Sequence, residues 1–208
     1  MTSENVYVYG AIESEDLELH VSAVDGAEQV YTVTHGNVSA VASDVGTTDP
    51  DRTDENVQAH DEVLRTVLEH GDGRTVVPMQ FGMVFADEGA LKNVLRGAGP
   101  AFRRALDEVE GTVELGVKVV GEEGTAVDAE AVEAAAEPLT DASVNHVENE
   151  RFSDRLLLNR SYLVERERMD EFGDAVDELE SALDGVLVQY TGPWAPYNFV
   201  DVHVGAER

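Results

Sequence analysis

Between residues 5 and 12 the chain alternates Val6 and Val8 with Tyr7 and Tyr9, and no charge interrupts the run. So dense a β-branched and aromatic stretch predicts a buried first strand, with Gly10 marking its end or a close approach of another backbone. Residues 29–34 and 38–42 are again strand-like and flank His35-Gly36-Asn37, which is hairpin chemistry. Over 53–70 the period lengthens to that of a helix, with Val57, Val63, Leu64, Val67 and Leu68 on one side and Gly71-Asp72-Gly73 as the stop. A strand is predicted over 75–85, then a helical stretch over 87–110 that Gly97-Ala98-Gly99-Pro100 should break or kink.

Val113, Leu115, Val117 and Val119 alternate as in a strand over 112–120, where a second unit begins. The acidic, alanine-rich stretch 121–137 reads as a surface helix or a mobile insert. Beyond it the pattern predicts a helix over 138–151, a strand over 155–165, a helix over 169–183 and a strand over 185–191. Met169, Phe172, Val176, Leu179 and Leu183 form one apolar stripe for packing on a sheet. The expected fold class is therefore α+β: two small ferredoxin-like α/β sandwich domains, residues 1–110 and 111–208, with helices on one face of mostly antiparallel sheets.

Composition narrows the function. The 208 residues hold 43 Asp plus Glu against 14 Lys plus Arg, for a formal net charge of -29, and the only lysines are Lys92 and Lys118. Such self-repulsion strains a compact state in dilute solution but largely vanishes in molar salt, where the Debye length is about 3 Å. Acidity spread along the chain, without a poly-acidic tail, points to a salt-rich cytoplasm. Nucleic acid and anionic membranes are excluded as expected partners, since clusters such as Arg103-Arg104 are too small to neutralise them. No apolar run reaches the ~20 residues of a membrane span, and no signal-like segment opens the chain, so a cytoplasmic protein is expected. The absence of cysteine removes disulfides, a thiolate nucleophile and Cys-bound zinc.

Catalytic signatures are missing as well. Among His20, His35, His60, His70, His146 and His203 no pair has zinc-protease spacing, and His60 and His70 stand roughly 15 Å apart along their helix. Asp49, Asp51 and Asp54 resemble the start of a calcium loop, but Pro50 intrudes and the turn glycine is missing. There is no phosphate loop, dinucleotide fingerprint or nucleophile elbow. Carboxylates are too numerous for any one pair to be singled out as acid and base. No catalytic residue, cofactor or metal is assigned, and the expected protein is not an enzyme. Asn37 and Asn159 sit in chance glycosylation patterns within strands.

Two segments remain. Gly192-Pro193-Trp194-Ala195-Pro196-Tyr197-Asn198-Phe199 holds the only tryptophan and two of the six prolines. The prolines Pro193 and Pro196 predict a stiff, extended segment carrying Trp194, Tyr197 and Phe199, either as core anchors or as a preorganised partner surface. Val76-Val77-Pro78-Met79-Gln80-Phe81-Gly82-Met83-Val84-Phe85 reads as a buried strand with an edge, bulge or bend at Pro78 and Gly82, and offers Phe81 and Phe85 as further candidates.

Together with the opening Val6-Tyr7-Val8-Tyr9-Gly10, these two segments are similar to the signature of the gas vesicle protein F/L family, a resemblance that spans nearly the whole chain. The family often carries Arg where Gln80 stands and Pro where Ala195 stands. The resemblance implies a two-domain α+β accessory protein of gas vesicle formation, at the vesicle or its assembly site. Its implied partners are the small hydrophobic shell protein GvpA and other gas vesicle accessory proteins. The rival expectations are a minor structural component of the vesicle wall and a small acidic hydrolase.

Overall fold

A computed structural model describes residues 5–202 of the chain; residues 1–4 and 203–208, His203 among them, lie outside the described residues. The chain divides into two compact units, one containing residues 5–110 together with 194–202 and the other residues 111–193. The expected domains of 1–110 and 111–208 differ from these units in their last part, since residues from Trp194 onward group with the first unit. The aromatic motif from Trp194 onward packs with the first unit.

In the first unit β1 (Asn5–Glu13), β2 (Glu18–His20), a 3-10 turn (Val24–Gly26), β3 (Gln29–His35) and β4 (Val38–Val45) precede α1 (Asp54–Glu69). The two-residue strands β5 (Val77–Pro78) and β6 (Val84–Phe85) then lead into α2 (Glu88–Glu108). The sheet order is β2-β3-β4-β1-β5, with β6 also on β1, and the neighbours run antiparallel. Val6, Val8, Ala40 and Ala42 meet Leu91, Leu95, Phe102 and Leu106 of α2 in one core. Tyr7 and Tyr9 instead turn to the α1 side, where both rings pack on His60. The sheet therefore has a helix on each face, not on one, which explains why β1 reads as an uninterrupted apolar run. A register shift between Val8 and Gly10 lets the strand bend past β5. A Cβ on Gly10 would lie 2.8 Å from the Val77 carbonyl oxygen, so this position requires glycine for a close backbone approach.

The second unit runs β7 (Thr112–Gly121), α3 (Ala129–Ala135), α4 (Glu137–Asp141), β8 (Asn145–Glu148), β9 (Leu156–Glu165), a 3-10 turn (Arg166–Arg168), α5 (Met169–Ala182) and β10 (Val186–Trp194). Its strand order, β10-β7-β9-β8, is that of a ferredoxin-like split βαβ sandwich. Here the helices share one face: Arg160 of β9 pairs with Glu133 of α3, and Tyr162 packs its ring 5.1 Å from Phe172 of α5. Arg160 is only 7% exposed, and Glu133 and Glu148 both neutralise it.

Three expected elements take another form. The helix over 138–151 is only α4, because Asn145–Glu148 is drawn into the sheet beside β9. The strand over 75–85 splits into β5 and β6 around a turn at Gly82, whose φ of 97° suits glycine. The helix α2 is continuous through Pro100, which faces solvent, so water can take up the freed carbonyl one turn earlier while Phe102 and Leu106 hold the next turn in the core.

Candidate functional site

The strand β10 carries the chain through a cis Gly192–Pro193 peptide to Trp194. Beyond Trp194 the backbone turns instead of staying extended, as the Tyr197 amide donates to the Ala195 carbonyl (2.8 Å) and the Phe199 amide to that of Pro196 (3.2 Å). Two prolines stiffen the approach, but an Asn at the centre of a four-residue turn reverses the direction. Ala195 and Pro196 are buried and fasten the turn to the first unit.

The turn lays Trp194 and Tyr197 along α1. The Arg65 guanidinium stands 5.6 Å from the centroid of the half-buried Trp194 ring. One helical turn earlier Asp61 accepts a hydrogen bond of 3.3 Å from the Tyr197 hydroxyl. Burial raises the Asp61 carboxyl pKa, while the Tyr197 hydroxyl and the charge of Arg52 act to lower it. Tyr197 remains 37% exposed. Beside the two rings lies an open groove of about 1080 Å³ in which Trp194 faces carboxylates such as Asp25, Glu28, Asp51, Glu55 and Glu62.

The other expected site residues go elsewhere. Phe199 and Phe85 are half-buried against the α2 core. Phe81 is half-buried, its centroid 5.8 Å from Tyr7 and 5.9 Å from His60, under the Arg52 guanidinium at 5.3 Å. Pro193 is half-buried and Pro196 fully so, which leaves them to shape the backbone and not to meet a partner through their rings.

Beneath Phe81 a buried polar chain ties β1, α1 and the segment around Met79 and Gly82 together. The Gly82 amide donates to the Tyr7 hydroxyl (3.1 Å), which donates to His60 Nδ1 (2.8 Å), and His60 Nε2 donates to the Met79 carbonyl (3.1 Å). Both ring nitrogens of His60 are thus engaged in its neutral form, and burial lowers its pKa to about 4. Sequence patterning did not single out His60 for this role, because a histidine on an apolar helix face has no signature of its partners. It also missed four large apolar side chains at the surface: Phe152 (78% exposed), Val144 (57%), Leu187 (51%) and Tyr190 (42%).

Fold and site define a two-domain α+β protein with a shallow aromatic surface beside an acidic groove. The model of the gas vesicle synthesis protein GvpL/GvpF family matches residues 5–137 and 122–201, and the chain belongs to that family. It is 55% identical over 207 residues to gas vesicle protein F1 of Halobacterium salinarum, covering 99% of this chain and 97% of that protein. It is 54% identical to gas vesicle protein F of Haloferax mediterranei, covering 99% of this chain and 98% of that one. The crystal structure of GvpF from Anabaena sp. PCC7120 shares the fold at a TM-score of 0.85 and 18% identity, over 97% of this chain and 98% of its own. That of GvpF from Microcystis aeruginosa does so at 0.77 and 17% identity, over 94% and 98%. Membership places this protein in gas vesicle formation, and its archaeal relatives come from halophiles, in keeping with the acidic composition.

Proposed function

We propose that this protein binds the hydrophobic gas vesicle shell subunit GvpA in the cytoplasm, limits its aggregation and assists its assembly, without catalysing a reaction. A wall-forming subunit exposes apolar surface before it is incorporated, and a soluble partner that covers that surface keeps it available. The observation that carries the reading is the pair Trp194 and Tyr197. Two large rings are kept at the surface of a strongly anionic molecule, each fixed by a residue of α1, so little side-chain freedom is lost on contact. The acidic exterior supports the same reading, since charge of one sign keeps a complex dispersed. Other gas vesicle accessory proteins are the natural further partners.

The test is capture of the shell subunit in molar salt by the full chain and by a Trp194→Ala/Tyr197→Ala variant of unchanged circular dichroism. Retention by the parent chain and at least tenfold weaker retention by the variant is expected. Equal retention by both would remove the two rings from the binding surface.

A further inference from the structure

The strand β10 is an edge of its sheet, and among the described residues no further strand pairs with it. It is nine residues long and occupies one end of the sheet order β10-β7-β9-β8. None of its residues is buried, whereas β7 and β9 in the same sheet are buried almost throughout. An edge strand presents backbone donors and acceptors to any chain able to pair with it, and proteins ordinarily blunt such edges by shortness or charge. The other edge strands here are treated that way. β2 has three residues with Glu18 and His20 exposed, β8 has four with Glu148 exposed, and β5 and β6 have two each.

β10 lacks this protection. It lies in a run of 16 residues, 185–200, without one Asp, Glu, Lys or Arg, in a chain where 27% of residues are charged. Apolar side chains stand out on both of its faces. Tyr190, 42% exposed, reaches the Phe172 ring of α5 at 6.0 Å, and Leu187, 51% exposed, lies on the opposite face by strand alternation. Only Pro193, near the far end, is an edge-blocking residue.

We propose that β10 is a docking edge, onto which an extended, uncharged apolar segment of the shell subunit adds as a further antiparallel or parallel strand. This deepens the function proposed above and rests on it. Main-chain hydrogen bonds would supply affinity and the side chains of Leu187 and Tyr190 would select an apolar neighbour, as in other cases of strand addition. Charge favours this occupant over a second copy of the chain. The helix beside the edge carries Asp170, Glu171, Asp174, Asp177 and Glu178, so two copies paired edge to edge would bring two acidic flanks together, a repulsion that molar salt weakens without removing at such short range, whereas an uncharged strand meets none.

The experiment compares the full chain with its Leu187→Lys variant, a charge placed on an exposed side chain so that the fold is undisturbed, and with Leu187→Ala. Affinity for purified shell subunit in molar salt is measured with amide hydrogen exchange over 186–191. Expected are binding by the parent chain, slowed exchange in β10 on binding, and at least a tenfold loss for Leu187→Lys with a smaller loss for Leu187→Ala. Binding that persists in Leu187→Lys, with β10 exchange unchanged, overturns the docking edge and leaves the Trp194 and Tyr197 surface standing. Failure of the parent chain to bind overturns both. A dimer of the chain that Leu187→Lys abolishes would make the occupant a second copy and overturn the assignment to the shell subunit.

Discussion

His60 joins three parts of the first unit that are distant in sequence: Tyr7 on β1, Met79 after β5, and the helix that carries it. Its ring is neutral when folded, with a pKa of about 4, against an ordinary value near 6.5. Between those two values the unfolded chain binds the proton and the folded chain does not, so stability is full above about pH 6.5 and falls as pH drops toward 4. The loss attributable to this group is as much as about 3 kcal/mol. Denaturant midpoints measured across that window should show the advantage of the parent chain over His60→Gln, which carries no titrating group at that position, shrinking as pH falls toward 4. An advantage unchanged by pH would mean that His60 titrates as it does in water.

At the level of elements, glycine positions distinguish close packing from idle space. A Cβ on Gly97 in α2 or Gly173 in α5 meets no atom within 4 Å, so alanine there should raise stability by about 0.5–1 kcal/mol each through helix propensity alone. Alanine at Gly10 instead meets the Val77 carbonyl oxygen at 2.8 Å and Leu64 at 3.0 Å, and should cost about 1–3 kcal/mol. Opposite shifts of the urea midpoint would be the sign of both effects, and a neutral Gly10→Ala would refute the close approach.

The same elements show how far the chain could be read. Periodicity placed β1, the β3–β4 hairpin, α1 and α5 close to their observed limits, because each buries a face whose spacing is written in the sequence. It did not separate β8 from a helix, since Asn145–Glu148 becomes a strand only through its pairing with β9. It expected helices on one face of each sheet, although the unbroken run Val6-Tyr7-Val8-Tyr9 already carried the signature of a strand covered on both. The aromatic motif was legible as a special segment, but not its turn after Trp194 or its return to the first unit, which depend on contacts far away in sequence. Leu187 and Tyr190 were hidden for the opposite reason: an exposed edge strand alternates much as a buried one does.

On the scale of the whole molecule, charge and apolar surface have to be considered together. A formal charge of -29 favours expansion once salt is diluted, because the Debye length grows from about 3 Å at 1 M to about 10 Å at 0.1 M. Thermal unfolding followed by circular dichroism should therefore move to lower temperature on dialysis from molar to 0.1 M salt, and an unchanged midpoint would show that the carboxylates are tolerated without screening. In brine the same screening lets apolar contacts operate close to an acidic surface, which suits the proposed hold on a hydrophobic subunit. The most direct measurement is the amount of shell subunit that stays in the supernatant, in molar salt, when the full chain is present in excess. Sustained solubility with the parent chain, lost with Trp194→Ala/Tyr197→Ala, is the expected result. A shell subunit that precipitates equally with the parent chain, the variant or no added protein would contradict it.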